Sequence, residues 1–119
     1  MVNVDRYRIH QVLDNLISNT IKHTPKTNRK ITISLKSASK ETVRISVKDN
    51  GAGIKTDNIN KIFEPYVFFE SKYSTKGSGI GLFVSRAIIE KMNGYLAATS
   101  QGEDQGSTFS IELPRFAIS

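Results

Sequence analysis

Three groups of residues in this 119-residue chain have types and spacing suited to chemistry on a phosphorylated ligand. The first is Lys76-Gly77-Ser78-Gly79-Ile80-Gly81-Leu82, where glycine takes every second position just before the apolar-periodic run Phe83 to Met92. The first amides of a helix have no intrahelical partner, and the helix dipole adds partial positive charge there, so a phosphate is the expected guest. Lys76 places a basic residue at the entrance. The spacing rejects two phosphate loops. A dinucleotide fingerprint needs glycine at the sixth position, which here is Leu82, and follows a strand, which Ser74-Thr75-Lys76 is not. A Walker A loop ends in Gly-Lys-Ser or Gly-Lys-Thr, and Gly81 is followed by Leu82. On its own, the remaining Gly-x-Gly-x-Gly suits a hinge before a core helix equally well.

The second group is Asn15, Asn19, Lys22 and His23, three or four residues apart and therefore stacked on one helical face. Asparagine is a poor helix former, because its side chain competes for the backbone, so two in mid-helix point to another task. Amide oxygens are hard ligands for a magnesium ion that also touches phosphates, and Lys22 can meet a phosphate as a point charge. His10 and His23 lack the partners of a metal site and read individually as surface or satisfied residues. The third group is Asp49-Asn50-Gly51-Ala52-Gly53-Ile54, a carboxylate at a strand end followed by two glycines. It can be held against a flat ligand that approaches the backbone closely, though a plain Asp-Asn-Gly turn reads the same way.

The elements that must position these groups follow from periodicity. Ile9, Val12, Leu13, Leu16, Ile17 and Thr20 recur at helical spacing and predict an amphipathic helix from Val4 to Thr24, ended by Pro25. Residues Lys30 to Lys36 and Thr42 to Lys48 alternate with period two and read as half-buried strands of an antiparallel hairpin turning around Ser37 to Glu41. Thr56 to Phe63 is expected to be a short helix capped by Thr56. The aromatic and polar stretch that follows, about residues 64–78, has no period and reads as a flap over a ligand. After the glycine-loop helix, Gly94 fits a C-cap. Tyr95 to Ser100 and Ser107 to Leu113 form a second strand pair around Gly102 to Gly106, with Phe109, Ile111 and Leu113 on one face. Helices alternating with strand pairs imply a two-layer α+β domain, one sheet covered on one face.

Bulk properties narrow the field. The length gives one domain and one core. No apolar run approaches the roughly 20 residues of a membrane span, and no signal-peptide pattern stands at the start, so a soluble, cytoplasmic domain without membrane contact is expected. Cysteine is absent, excluding disulfides and thiolate metal sites. The net charge of +6 is spread over Lys22, Lys26, Lys30, Lys36, Lys40, Lys48, Lys55 and Lys61 without a basic stripe or interleaved aromatics, which argues for a solvated surface and against nucleic acid.

Together and in this order, the groups resemble the ATP-binding catalytic domain of sensor histidine kinases, within the superfamily of type II topoisomerases, mismatch-repair ATPases and heat-shock chaperones. Asn15-Leu16-Ile17-Ser18-Asn19-Thr20-Ile21-Lys22-His23-Thr24 resembles the N box, Asp49 to Ile54 the first glycine box, Ile62-Phe63-Glu64-Pro65-Tyr66 the F box, and Gly77-Ser78-Gly79-Ile80-Gly81-Leu82 the second glycine box. The resemblance covers residues 5–114. It implies a Bergerat-type two-layer sandwich, with a mixed sheet and about three helices, that binds Mg-ATP. Asn19 would coordinate magnesium, with Asn15 supporting the phosphate end and Lys22 and His23 reaching phosphate oxygens; Asn15, Asn19 and Lys22 are the implied catalytic set. Asp49 would accept the hydrogen bond of the adenine amine and Thr108 would bind the base through water. Gly51, Gly53 and Ile54 would form the pocket floor; Lys76, Gly77, Gly79, Gly81 and Leu82 would line the triphosphate under an ATP lid over about residues 64–78.

Departures from the family pattern sharpen the expectation. Hydrolysing members carry a glutamate four residues before the metal asparagine. Here that position is Asn15, and a carboxamide cannot act as a general base. The γ-phosphate is therefore expected to be transferred to a histidine on a separate dimerisation domain, with a response regulator downstream. Neither His10 nor His23 has the surroundings of that acceptor. The strand that usually precedes the first helix is also missing, so a fragment of a longer sensor kinase is expected, its parent possibly membrane-anchored. Thr20 replaces the usual alanine. The rival readings are a regulatory nucleotide-binding module without transferase activity, and an anti-sigma-type serine kinase, which Asn15 argues against.

Overall fold

The computed structural model describes residues 2–65 and 81–115, with side chains from Arg6 onward. Among these residues, helix α1 (Val2–Lys22) is followed by strands β1 (Ile31–Ser37) and β2 (Thr42–Asp49), a 3-10 turn (Thr56–Asn58), helix α2 (Gly81–Lys91) and strands β3 (Tyr95–Thr99) and β4 (Ser107–Pro114). The expected flap lies outside the described residues from Tyr66 onward, as do Lys76, Gly77 and Gly79.

The strands form one sheet in the order β1-β2-β4-β3. The resemblance implies a mixed sheet, but all three pairings among the described strands are antiparallel. The chain leaves β2 and crosses over β4 to reach β3, then returns as a hairpin to pair β4 between them. Both α-helices pack against each other, α1 onto β2 and α2 onto β3. Strand periodicity decides what meets them: Val43, Ile45 and Val47 on β2, and Phe109, Ile111 and Leu113 on β4, are buried, while the residues between them are not. On α1 the buried row is Val12, Leu16 and Thr20 at i, i+4 spacing, and Thr24 just past the helix end extends it, each at most 2% exposed. Burying a Val or Leu of this kind contributes about 1.5–3 kcal/mol. Phe63, from the expected F box, joins this core by packing edge-on to Phe109, ring centroids 6.4 Å apart, under the Arg86 guanidinium 5.0 Å above its ring.

Three local expectations need correction. β1 is not half-buried along its length: Ile33 and Leu35 are 54% and 63% exposed, because β1 is an edge strand and the helices cover its neighbours. Thr56 does not cap a helix. It opens a single 3-10 turn preceded by Lys55, which makes no capping side-chain bond, and the chain beyond it turns rather than continuing as an α-helix. At the end of α2 the left-handed residue is Asn93 (φ 61°), one position before Gly94. The Asn93 and Gly94 amides donate to the carbonyls of Glu90 and Ile89, a Schellman closure.

Candidate functional site

Period two carries the buried face of β2 beyond Val43, Ile45 and Val47 to Asp49, so a carboxylate occupies a core position at the sheet's end. Burying it requires partners. Its Oδ1 accepts the Gly51 N–H (2.8 Å) and the Ser107 N–H (3.3 Å), and its Oδ2 accepts the Ser107 hydroxyl (2.9 Å). Ser107 stands directly opposite Asp49 in the β2–β4 register. Around this pair the backbone is drawn tight. Gly106 has φ +71°, and a Cβ there would run into the Asp49 carbonyl; Gly53 has φ +72°, and a Cβ there would strike the Gly102 carbonyl. Ser100 joins the two loops: its hydroxyl oxygen accepts the amides of Ile54 (3.0 Å) and Gly102 (3.2 Å), while its O–H is placed to donate to the Gly106 carbonyl at 2.6 Å.

The end of α1 is fastened to the same turn, since the Ala52 amide donates to the His23 carbonyl at 2.9 Å. The His23 imidazole is pushed below its usual range by burial, which outweighs the opposite pull of Asp49 and is reinforced by the Lys22 charge. Upstream on the helix, Asn15, Asn19 and Lys22 are all half-buried. Asn15 Nδ2 donates to the Ser85 hydroxyl of α2 at 3.2 Å. The Asn19 amide makes no hydrogen bond among the described residues. The described residues also hold no cluster of three His, Cys, Asp or Glu able to ligate a metal. A magnesium ion here would thus rest on amide and ligand oxygens, and a disengaged Asn19 oxygen fits that hard cation.

The fold brings Asp49, Gly51, Gly53, Ile54 and His23 into one neighbourhood and sets Asn15 against α2, which begins at Gly81 and Leu82. Thr108 does not join them. It pairs with Lys48 and Thr99 on the opposite, outward face of the sheet, and the hydroxyl beside Asp49 belongs to Ser107. The alternation that buries Phe109, Ile111 and Leu113 was the available signal, since it extends to 107 and skips 108. Ser85 and Ser100 carried no such signal, because the residues they reach across the fold, Asn15 and Ile54, are 70 and 46 residues away.

Residues 4–117 match the family of histidine kinase-, DNA gyrase B- and HSP90-like ATPases. The chain belongs to that family. Among solved structures, the catalytic domain of histidine kinase ThkA, in a nucleotide-free form, is 35% identical with a TM-score of 0.76, covering 92% of this chain and 68% of that one. Full-length ShkA in complex with AMPPNP is 28% identical with a TM-score of 0.75, covering 90% of this chain and 21% of that one. Of characterised relatives, the aerobic respiration control sensor protein ArcB of Escherichia coli is 35% identical over 94% of this chain. The autoinducer 2 sensor kinase/phosphatase LuxQ of Vibrio parahaemolyticus is 32% identical over 92%. The chain spans only 14% and 13% of their lengths. It is a histidine kinase-type catalytic domain, with the ATP-binding sandwich of two-component sensor kinases.

Proposed function

We propose that this domain binds Mg-ATP and presents the γ-phosphate to a histidine on a separate phosphoacceptor domain of a longer sensor kinase, from which a response regulator takes it. The carrying observation is the buried Asp49 carboxylate, held in place by Ser107 and the Gly51 amide, at a glycine packed so closely on the His23 carbonyl that no side chain fits there. A carboxylate accepts hydrogen bonds only, so it selects a base edge that carries an amine, as adenine does, over the carbonyl of guanine. Asn15 and Asn19 hold the phosphate end, with Lys22 and His23 beside them. Bound magnesium supplies charge neutralisation between the phosphates. Asn15 lacks the basicity to draw a proton from water, so the phosphoryl group is retained for an oriented nucleophile rather than spent on hydrolysis. The complex of ShkA with AMPPNP, an adenine nucleotide analogue, supports the nucleotide assignment.

Calorimetry with ATP and GTP tests the base assignment. Asp49→Asn keeps an acceptor for the Gly51 amide and can donate to the rotatable Ser107 hydroxyl, so the fold persists. The donor-to-donor mismatch with adenine costs about 1–3 kcal/mol, roughly 5- to 150-fold in affinity. Equal affinity of the parent domain for both nucleotides would remove the base assignment. For the transfer, the domain mixed with Mg-ATP and a phosphoacceptor domain should yield acid-labile phosphohistidine on the latter; nucleotide binding without any transfer favours the regulatory-module reading.

A further inference from the structure

Ser85 is fully buried on α2, among Ile88 and Ile89, and its hydroxyl meets the Asn15 amide across the α1–α2 interface. A hydroxyl in such a place costs stability unless bonded, and serine is a weaker helix former than alanine, so packing alone does not account for it. Asn15 Nδ2 is the partner that satisfies it, at 3.2 Å. A carboxamide is planar with a donor end and an acceptor end, and fixing one end fixes the direction of the other. We propose that Ser85 is a positioning residue: it locks the Asn15 carboxamide so that its remaining polar atom is held toward the phosphate end of the nucleotide. This rests on the Mg-ATP reading given above.

The location of Ser85 gives the contact a second consequence. α2 begins at Gly81, and Ser85 lies four residues on, about 6 Å along the axis. One helix therefore carries both Gly81, the last glycine of the Gly-x-Gly-x-Gly run, and, about one turn later, the anchor of Asn15. The two helices are thus joined by a hydrogen bond as well as by packing. Pre-orienting Asn15 removes a rotamer that ligand binding would otherwise have to freeze.

The test is a double-mutant cycle on Mg-ATP binding by calorimetry, using the parent domain, Ser85→Ala, Asn15→Ala and the double variant. Ser85→Ala is expected to weaken binding roughly tenfold and to flatten its dependence on magnesium concentration, while adding no further loss in the Asn15→Ala background. Ser85→Cys, which keeps the volume but bonds weakly, should resemble Ser85→Ala and serves if the alanine variant melts. Parent-like affinity in both Ser85 variants overturns the proposal. So does an equal loss with and without Asn15, because the serine would then act through packing alone. A parent domain that binds no Mg-ATP overturns the functional reading itself, an outcome distinct from a parent that binds and a Ser85 that is indifferent.

Discussion

At the scale of the residue, the site is built from polar groups whose burial is compensated one by one. Asp49 is satisfied by Gly51 and Ser107, and Asn15 by Ser85. Fully buried Thr20 is not: it is 1% exposed in the i, i+4 row of α1, and its hydroxyl has no hydrogen-bond partner among the described residues. A buried hydroxyl left unpaired costs about 1–3 kcal/mol. Thr20→Val, which keeps the shape and β-branching, is therefore expected to raise stability by about that amount in denaturant titration, with the slope of the transition unchanged. A lower midpoint would mean that the hydroxyl is satisfied in solution.

At the scale of the element, the decisive pieces are the two loops that frame Asp49 and the helices that approach them. Residues 102–106 close onto residues 51–54 through the Gly106 amide on the Gly51 carbonyl and the Asp104 amide on the Ala52 carbonyl, with Ser100 joining both loops. Gly106 sits at φ +71° with the Asp49 carbonyl where a Cβ would go, so Gly106→Ala meets both backbone strain and a backbone clash. The expected outcome is a loss of at least about 1–3 kcal/mol of stability, together with a larger loss of ATP affinity than of overall fold, because the displaced atoms are those that aim the carboxylate. Thermal melts run alongside calorimetry separate the two. Unchanged ATP affinity in a folded Gly106→Ala domain would show that the loop does not aim Asp49.

At the scale of the whole molecule, pH acts through His23, which lies where α1 meets the Asp49 turn. Its pKa in the folded domain lies below the unfolded value of 6.5, chiefly through burial. The unfolded chain therefore takes up the proton first as pH falls, and ∂ΔG/∂pH is positive in that window. The His23 contribution is fully present above pH 6.5 and is lost as pH drops from there through the lower folded pKa. Urea midpoints measured between pH 8 and pH 5 should decline more steeply for the parent than for His23→Gln. Parallel pH profiles would mean that His23 titrates alike in both states. The chain spans only 13–14% of the lengths of LuxQ and ArcB.

The sequence by itself determined the period of each element and hence the layers. Helical spacing through Val12 and Leu16, and two-residue alternation through β2 and β4, each state which face must be buried, and burial of apolar area dominates folding. It also determined the four motif boxes and their order, from which the family could be read. Tertiary structure alone decided which residues those faces bring together. The edge position of β1 that leaves Ile33 and Leu35 exposed, the antiparallel neighbours of β2, the substitution of Ser107 for Thr108 beside Asp49, and the Ser85 and Ser100 contacts all depend on pairings tens of residues apart. Local pattern is set by backbone geometry and by which side chains avoid water. Register and long-range hydrogen bonds are set only when whole elements pack and each buried polar atom must find a partner.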